Sequence, residues 1–257
     1  MHPREELVMM EAMLEHPEKT LTEIVREIMT VLGNRFQVST VCRYFQRNGV
    51  TRKRLKKVVR QQSELANINF RADTCLLHAE MFVFLDESGF DRRLTRGFGY
   101  SFRGYSAKVK RKHTNWHPRI TAIPIVCTEG LLEIGIHRGA TNGDVFLQFV
   151  NEKLVPNLLP FNGANPRSVV IMDNAAIHHS QRVVDAINAS GALLIFLPPY
   201  SPNLMPCEGV IALAKSWIRE NDLVWEQCDE PENMVFEAFM QIADEDITNY
   251  IRHSEYL

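Results

Sequence analysis

The sequence predicts an α/β protein, a mixed sheet with flanking helices preceded by a small all-helical region. Three observations lead there. Residues 20–49 carry their apolar positions at helical spacing. From Met81 the pattern changes to short apolar runs of strand length, three in succession and then alternating with helix-like stretches. Two of those runs end directly in an aspartate, "FVFLDES" and "VVIMDN". Strands joined by a tight turn pair antiparallel, whereas strands joined through helices pair parallel, so the sheet is mixed.

Along the chain, "TLTEIVREIMTVLG" (20–33) reads as a helix. Thr20 and Glu23 fit a capping box, Leu21, Ile24, Val25, Ile28 and Leu32 form one apolar face, and Gly33 is the C-cap. "VSTVCRYFQRNG" (38–49) reads as a second helix, with Ser39 as N-cap, Val41 and Phe45 buried and Asn48-Gly49 as the stop. Two short helices and a tight turn followed by a basic run have the outline of a helix-turn-helix. Thr40, Arg43 and Arg47 would lie on its outer face. An ordinary helical hairpin fits the same pattern. The expected division is 1–60 for this region with its basic linker, 61–79 for a polar helical connector and 80–257 for the sheet domain.

In the sheet domain, residues 81–86 read as a strand ending in Asp86. "RITAIPIVCT" (119–128) and "GLLEIGIH" (130–137) read as two strands around a turn at Glu129-Gly130, with Pro124 weakening the first or placing it at an edge. Residues 141–159 read as an amphipathic helix, and 167–174 as a buried strand ending in Asp173. Residues 178–191 read as a helix closed by Gly191, and 192–197 as another buried strand. A helix starts near Pro206 and runs to about Glu220.

Composition excludes several classes. The chain has 257 residues, 45% hydrophobic and 23% charged, with no apolar run of the roughly 20 residues a membrane helix needs. Its five cysteines have no C-x-x-C spacing and read as reduced thiols of an intracellular protein. The net charge of −2 conceals segregation. Residues 51–60 hold six bases and residues 92–112 eight, neither with an acid, while residues 220–257 hold eleven acids and one base. One such run is commonly a solvated surface. Two of them flanking the acid motifs point to nucleic acid, through Arg52, Lys53 and Arg54 in the first and Lys108, Lys110 and Arg111 in the second. "RKRLKK" (52–57) would serve equally as a nuclear signal.

Asp86 and Asp173 each follow an apolar strand, and α/β sheets form their sites outside the carboxyl ends of strands. Glu208 follows a third strand through "LPPYSPNLMPCE", whose prolines restrict the backbone and position the acid with little ordering cost. Three converging carboxylates repel one another unless a hard cation neutralises them. Mg²⁺ or Mn²⁺ takes such oxygen ligands and keeps positions open for water and phosphate. Glu87 beside Asp86 would point to the opposite face. His178 and His179 read as the start of a helix shaping the site, and Asn174 either as a residue orienting Asp173 or contacting DNA or as a simple turn residue.

"FLDESGF", "VVIMDNAAIHHS" and "LIFLPPYSPNLMPCEGVIALAKSWIR", with 34 residues between Asp173 and Glu208, resemble the signature blocks of the IS630/Tc1/mariner superfamily of DDE transposases. The resemblance spans about residues 21–256. It implies an RNase H-like catalytic core with Asp86, Asp173 and Glu208 as catalytic residues and ligands of two Mg²⁺ or Mn²⁺ ions. It further implies cutting and joining of double-stranded transposon ends, helix-turn-helix recognition of terminal inverted repeats, and a homodimer. The sequence departs from the family pattern at Asn203 and Met205, where an acid and an amide are usual. It also departs in offering one helix-turn-helix where two are usual. A DNA-binding protein with weak or lost catalysis is the alternative. A phosphatase-like hydrolase with Asp86 as nucleophile is disfavoured by Ser88, where a second acid is wanted.

Overall fold

The computed structural model describes residues 3–33, 36–53, 64–109 and 119–257, and the chain forms two compact units, residues 1–59 and 60–257. The first unit is helical: α1 (Pro3–Glu15), α2 (Leu21–Leu32) and α3 (Val38–Arg47). The sequence reading placed no helix at α1. Met9 and Ala12 of α1, Ile24, Val25 and Ile28 of α2, and Val41 and Phe45 of α3 close a core. The capping box forms as expected, with Thr20 and Glu23 each accepting from the other's backbone N–H, and Gly33 ends α2 at φ 72°. Helix α3 starts two residues earlier than Ser39 as N-cap would allow. Its N-cap is Gln37, which makes no side-chain cap, so the apolar register of Val41 and Phe45 sets the start rather than a hydroxyl.

The second unit opens with α4 (Glu64–Thr74) and is built on a sheet of β1 (Phe82–Leu85), β2 (Ser88–Phe90), β3 (Ile120–Cys127), β4 (Gly130–Arg138), β5 (Val169–Met172) and β6 (Leu193–Phe196). Strands β1, β5 and β6 run parallel, while β3 is antiparallel to β1, β2 and β4. The helices are α5 (Gly143–Phe149), α6 (Gln181–Ala189), α7 (Pro206–Glu220), α8 (Asp222–Gln227), α9 (Pro231–Met240) and α10 (Asp244–His253). A single π turn (Val150–Leu154) and a 3₁₀ turn (Val155–Asn157) prolong α5.

Strand alternation assigns the two faces. Phe82, Phe84, Val169 and Ile171 face a core with Val210, Ala214, Val235, Phe239 and Ile251 from α7, α9 and α10. Val83, Leu85, Val170 and Met172 face a second core with Phe146, Val150, Val183 and Ile187 from the α5 run and α6. Both faces are covered, as the uninterrupted apolar strands require.

Two expectations need correction. Pro124 does not put β3 at an edge, because β3 pairs with β4 on one side and with β1 and β2 on the other. On that second side β1 pairs with Ile125 and Val126 and β2 with Ile120, Thr121 and Ala122. Ile123 and Pro124 therefore lie opposite the two residues, Asp86 and Glu87, that separate β1 from β2. A proline has no N–H to give a ladder, and on the side of β1 and β2 it stands opposite the break, where neither strand pairs with it. The second correction concerns 192–197, read as a buried strand. As β6 it is the sheet's outer parallel strand and its residues are exposed or half-buried. Helix α6 begins at Gln181, so His178 and His179 lie in the turn before it.

Candidate active site

Asp86 occupies the break between β1 and β2. It continues the alternation of Phe82 and Phe84 toward the face that carries α7, and its Oδ1 accepts the backbone N–H of Glu87 at 2.8 Å. Asp173 follows β5, the parallel neighbour of β1, and its Oδ1 accepts from the Ala175 N–H at 3.1 Å. Asn174 ties the ends of β5 and β6 together, since its amide donates to the Leu197 carbonyl and its oxygen meets His179 Nε2 at 2.9 Å.

Glu208 stands exposed in the first turn of α7, whose N-terminus favours a negative charge. The proline segment before it is anchored at two points. Ser201 Oγ donates to Asn67 Oδ1 of α4 at 2.6 Å, and Tyr256 Oη donates to the Leu204 carbonyl at 2.9 Å. Met205, where the family pattern has an amide, is buried in the core and caps nothing, and α7 starts on Pro206 at its first position. Gly209 is pressed against Tyr250: a Cβ there would lie 2.1 Å from the ring.

Asp86 is influenced by both of the other acids. Burial, then the charges of Glu208 and Asp173, raise the Asp86 carboxyl from 3.8 to about 7. Asp173 goes the other way, held low chiefly by the hydrogen bond from His178. Among the described residues no three His, Cys, Asp or Glu side chains stand close enough to hold a metal ion as they are. The donor chemistry nevertheless suits Mg²⁺ or Mn²⁺, since all three are hard carboxylate oxygens, and the charge that burdens Asp86 is the kind a divalent cation neutralises.

Three further residues adjoin these acids. Glu87 turns to the opposite face, and its Oε2 meets His178 Nε2 at 3.0 Å. His178 is fully buried, packs on Phe146 with ring centroids 4.5 Å apart, and brings Nδ1 to 2.6 Å from Asp173 Oδ1. Burial pushes its pKa down, but the bonds to Asp173 and Glu87 outweigh this and hold it at about 10. Lys215 lies two helical turns beyond Glu208 on the same side of α7, donates to Ser88 Oγ at 2.7 Å and sits 5.5 Å from the Phe90 ring centre. Its seven-residue spacing from Glu208 was the available sequence signal. Burial lowers its pKa, and the charges of Glu208 and Asp86 oppose that fall.

The residues expected to bind DNA fall in different places. Arg43 and Arg47 are exposed on α3 and Thr40 is half-buried there, while Arg52 and Lys53 are exposed after it. Lys108 is exposed in a loop spanning 91–109, whose base is fixed by Arg96. The Arg96 backbone N–H donates to Asp222 at 3.0 Å and its guanidinium to the Arg219 and Glu220 carbonyls. Arg54, Lys110 and Arg111 lie outside the described residues.

The mixed sheet presents two aspartates at the ends of the adjacent parallel strands β1 and β5, and a glutamate in the first turn of α7, the helix that follows β6. Residues 81–227, more than half of the chain, match the DDE superfamily endonuclease family, and the protein belongs to it. Its fold is similar to that of the Mos1 transposase paired-end complex with left transposon end, at 16% identity and a TM-score of 0.63, covering 98% of this chain and 76% of that one. It is also similar to the Mos1 mariner paired end complex with Mn (12%, 0.58, covering 97% and 78%) and to the Mos1 transposase catalytic domain with Raltegravir and Mn (14%, 0.52, covering 77% and 91%). At these identities the likeness is one of fold. No curated protein matches the chain in sequence.

Proposed function

We propose that the protein is a DNA transposase that cuts transposon ends and joins them to target DNA, acting as a homodimer on two ends. The observation that supports this is the match to the DDE superfamily endonuclease family over residues 81–227, within which Asp86 and Asp173 follow the adjacent parallel strands β1 and β5 and Glu208 lies in the first turn of α7. Asp86, Asp173 and Glu208 would hold two Mg²⁺ or Mn²⁺ ions. Such ions, when bound, activate the attacking oxygen and stabilise the leaving oxygen of a phosphodiester. The structures that resemble this chain include Mos1 complexes with Mn and with Mg.

The chain's own residues do the rest. The anchored proline segment holds Glu208 in place against the repulsion of the aspartates, and Lys215 presents a cation to the same cleft, where a DNA phosphate would meet it. The exposed face of α3 with Arg43 and Arg47, followed by Arg52 to Arg54, would read and neutralise the transposon end as a helix-turn-helix. Lys108 and the neighbouring bases Lys110 and Arg111 would hold DNA near the catalytic unit. The place of action is on DNA, in the nucleus of a eukaryotic cell or the cytoplasm of a bacterial one.

The test is strand nicking of DNA carrying the cognate ends, in Mn²⁺, by the protein and by Asp173→Asn. Nicking by the first alone is expected. Equal nicking by both would sink the catalytic reading. End binding without nicking by either would assign the chain to DNA binding with catalysis lost.

A further inference from the structure

His178 is an unusual thing to find in the core. It is fully buried, yet each ring nitrogen faces a carboxylate: Nε2 lies 3.0 Å from Glu87 Oε2 and Nδ1 lies 2.6 Å from Asp173 Oδ1. Desolvating an imidazole and two acids is expensive, and an apolar side chain of similar volume would serve the fold as well or better. The other Glu87 oxygen, Oε1, is buried with no hydrogen-bond partner among the described residues, a further cost. Phe146 fixes the plane of the ring at 4.5 Å between centroids, so the imidazole cannot swing between its two partners.

The arrangement links the two faces of the sheet at the ends of β1 and β5. Asp86 and Glu87 occupy the break opposite Pro124, one turned to each face. Through His178, the residue turned away from the cleft reaches the other catalytic aspartate. Both hydrogen bonds to Asp173, from His178 and from the Ala175 N–H, fall on Oδ1, which leaves Oδ2 as the oxygen available to an ion. The Asp173 side chain is 45% exposed and would otherwise be free to turn.

We propose that His178, itself held by Glu87, is a positioning residue that fixes the Asp173 carboxylate for metal binding. This rests on the metal-dependent reading of the same site. Partners of this kind, one step removed from a metal, are worth about ten- to a hundredfold in metal affinity.

The experiment measures Mn²⁺ binding directly, by electron paramagnetic resonance of free Mn²⁺, on full-length protein without DNA. Asparagine at 178 places its amide nitrogen near the histidine Nδ1 position and keeps the bond to Asp173. Glutamine places it near Nε2 and keeps only the bond to Glu87. Expected affinities are within about threefold of wild type for His178→Asn and about ten- to a hundredfold weaker for His178→Gln. Equal affinities for the two variants, whatever their value, overturn the proposal, because a space-filling role would not tell them apart. Should either fail to fold by circular dichroism, Glu87→Gln and Glu87→Ala decide it. The first keeps an acceptor for Nε2 and should bind Mn²⁺ like wild type, the second should weaken binding about tenfold, and two unchanged affinities overturn the proposal. Wild-type protein that takes up no Mn²⁺ would remove the metal-dependent function itself and this inference with it. Mn²⁺ binding that ignores His178→Gln removes the inference alone.

Discussion

Replacing Asp86 by asparagine should stabilise the metal-free protein at pH 8 while ending its activity. Burial and the charges of Glu208 and Asp173 move this carboxyl from 3.8 to about 7. One unit corresponds to about 1.4 kcal/mol, so the full shift amounts to about 4 kcal/mol against the folded state once Asp86 is ionised. Water on the open side of the cleft screens about half of that, leaving about 2 kcal/mol. Because the folded-state value lies above the unfolded one, folding takes up a proton between them. The penalty is absent below about pH 4, grows as pH rises through the window, and is complete above about pH 7. Asparagine keeps an oxygen for the Glu87 N–H and carries no charge. In a domain of this size about 2–4 °C in Tm accompanies each kcal/mol, so the variant should melt about 4–8 °C higher at pH 8 and level with wild type at pH 4. The assay is thermal unfolding of both proteins in chelator from pH 4 to 8. Added Mn²⁺ should raise the Tm of wild type much more than that of the variant. A Tm difference that does not grow between pH 4 and 7 would refute the argument that like charges burden this site.

Gly209→Ala should lower thermal stability by about 1–3 kcal/mol, because the added Cβ meets the Tyr250 ring at 2.1 Å and displaces the turn that carries Glu208. An unchanged Tm would show that the two helices part without cost. Tyr256→Ala should cost about 3–5 kcal/mol in denaturant unfolding, since the ring packs on Phe70, Phe82 and Phe84. Tyr256→Phe, which loses only the bond to the Leu204 carbonyl, should cost about 1 kcal/mol. Lys215→Met should lower nicking by at least about tenfold with little change in Tm, and normal nicking would place its cation outside the reaction. Arg43→Ala with Arg47→Ala should weaken binding to transposon ends and flatten its salt dependence, and unchanged affinity at physiological salt would remove α3 from the interface.

Much of this architecture was legible because its signals are local. The capping box at Thr20, the glycine stop at Gly33 and the apolar strands ending in Asp86 and Asp173 each follow from a few adjacent residues. What escaped depends on pairing partners distant in sequence. The three residues of β2 have no pattern of their own and become a strand because Ile120 to Ala122 offer a ladder. Pro124 reads as a flaw in a strand until the break opposite it is seen. The tail read only as acidic charge, yet Asp244, Glu245 and Asp246 fill the first turn of α10, where negative charge favours a helix, and Ile247 and Ile251 are buried. His178 was visible in "NAAIHHS", but its two carboxylate partners lie 91 and 5 residues away, and the first cannot be inferred from spacing.

Each acid of the site stands where a regular backbone ladder stops, and the causes differ. Asp86 sits in the two-residue break between β1 and β2, opposite Pro124, where two successive side chains leave to opposite faces. Asp173 sits where β5 ends and Asn174 takes over the link to β6. Glu208 sits where a proline segment, pinned by Asn67 and Tyr256, gives way to α7. Continuous strands would have paired these positions and separated the carboxylates by their alternation. Interruption frees them from the ladder, and the cost shows at Asp86, whose carboxyl is raised by burial and then by the charges of Glu208 and Asp173. Two apolar cores on either side of the sheet can bear that cost, whereas an acid cleft on a single-faced sheet would have less burial to set against it. The covered sheet therefore supports the burial and like charge at Asp86, and that charge is the kind a divalent cation would neutralise.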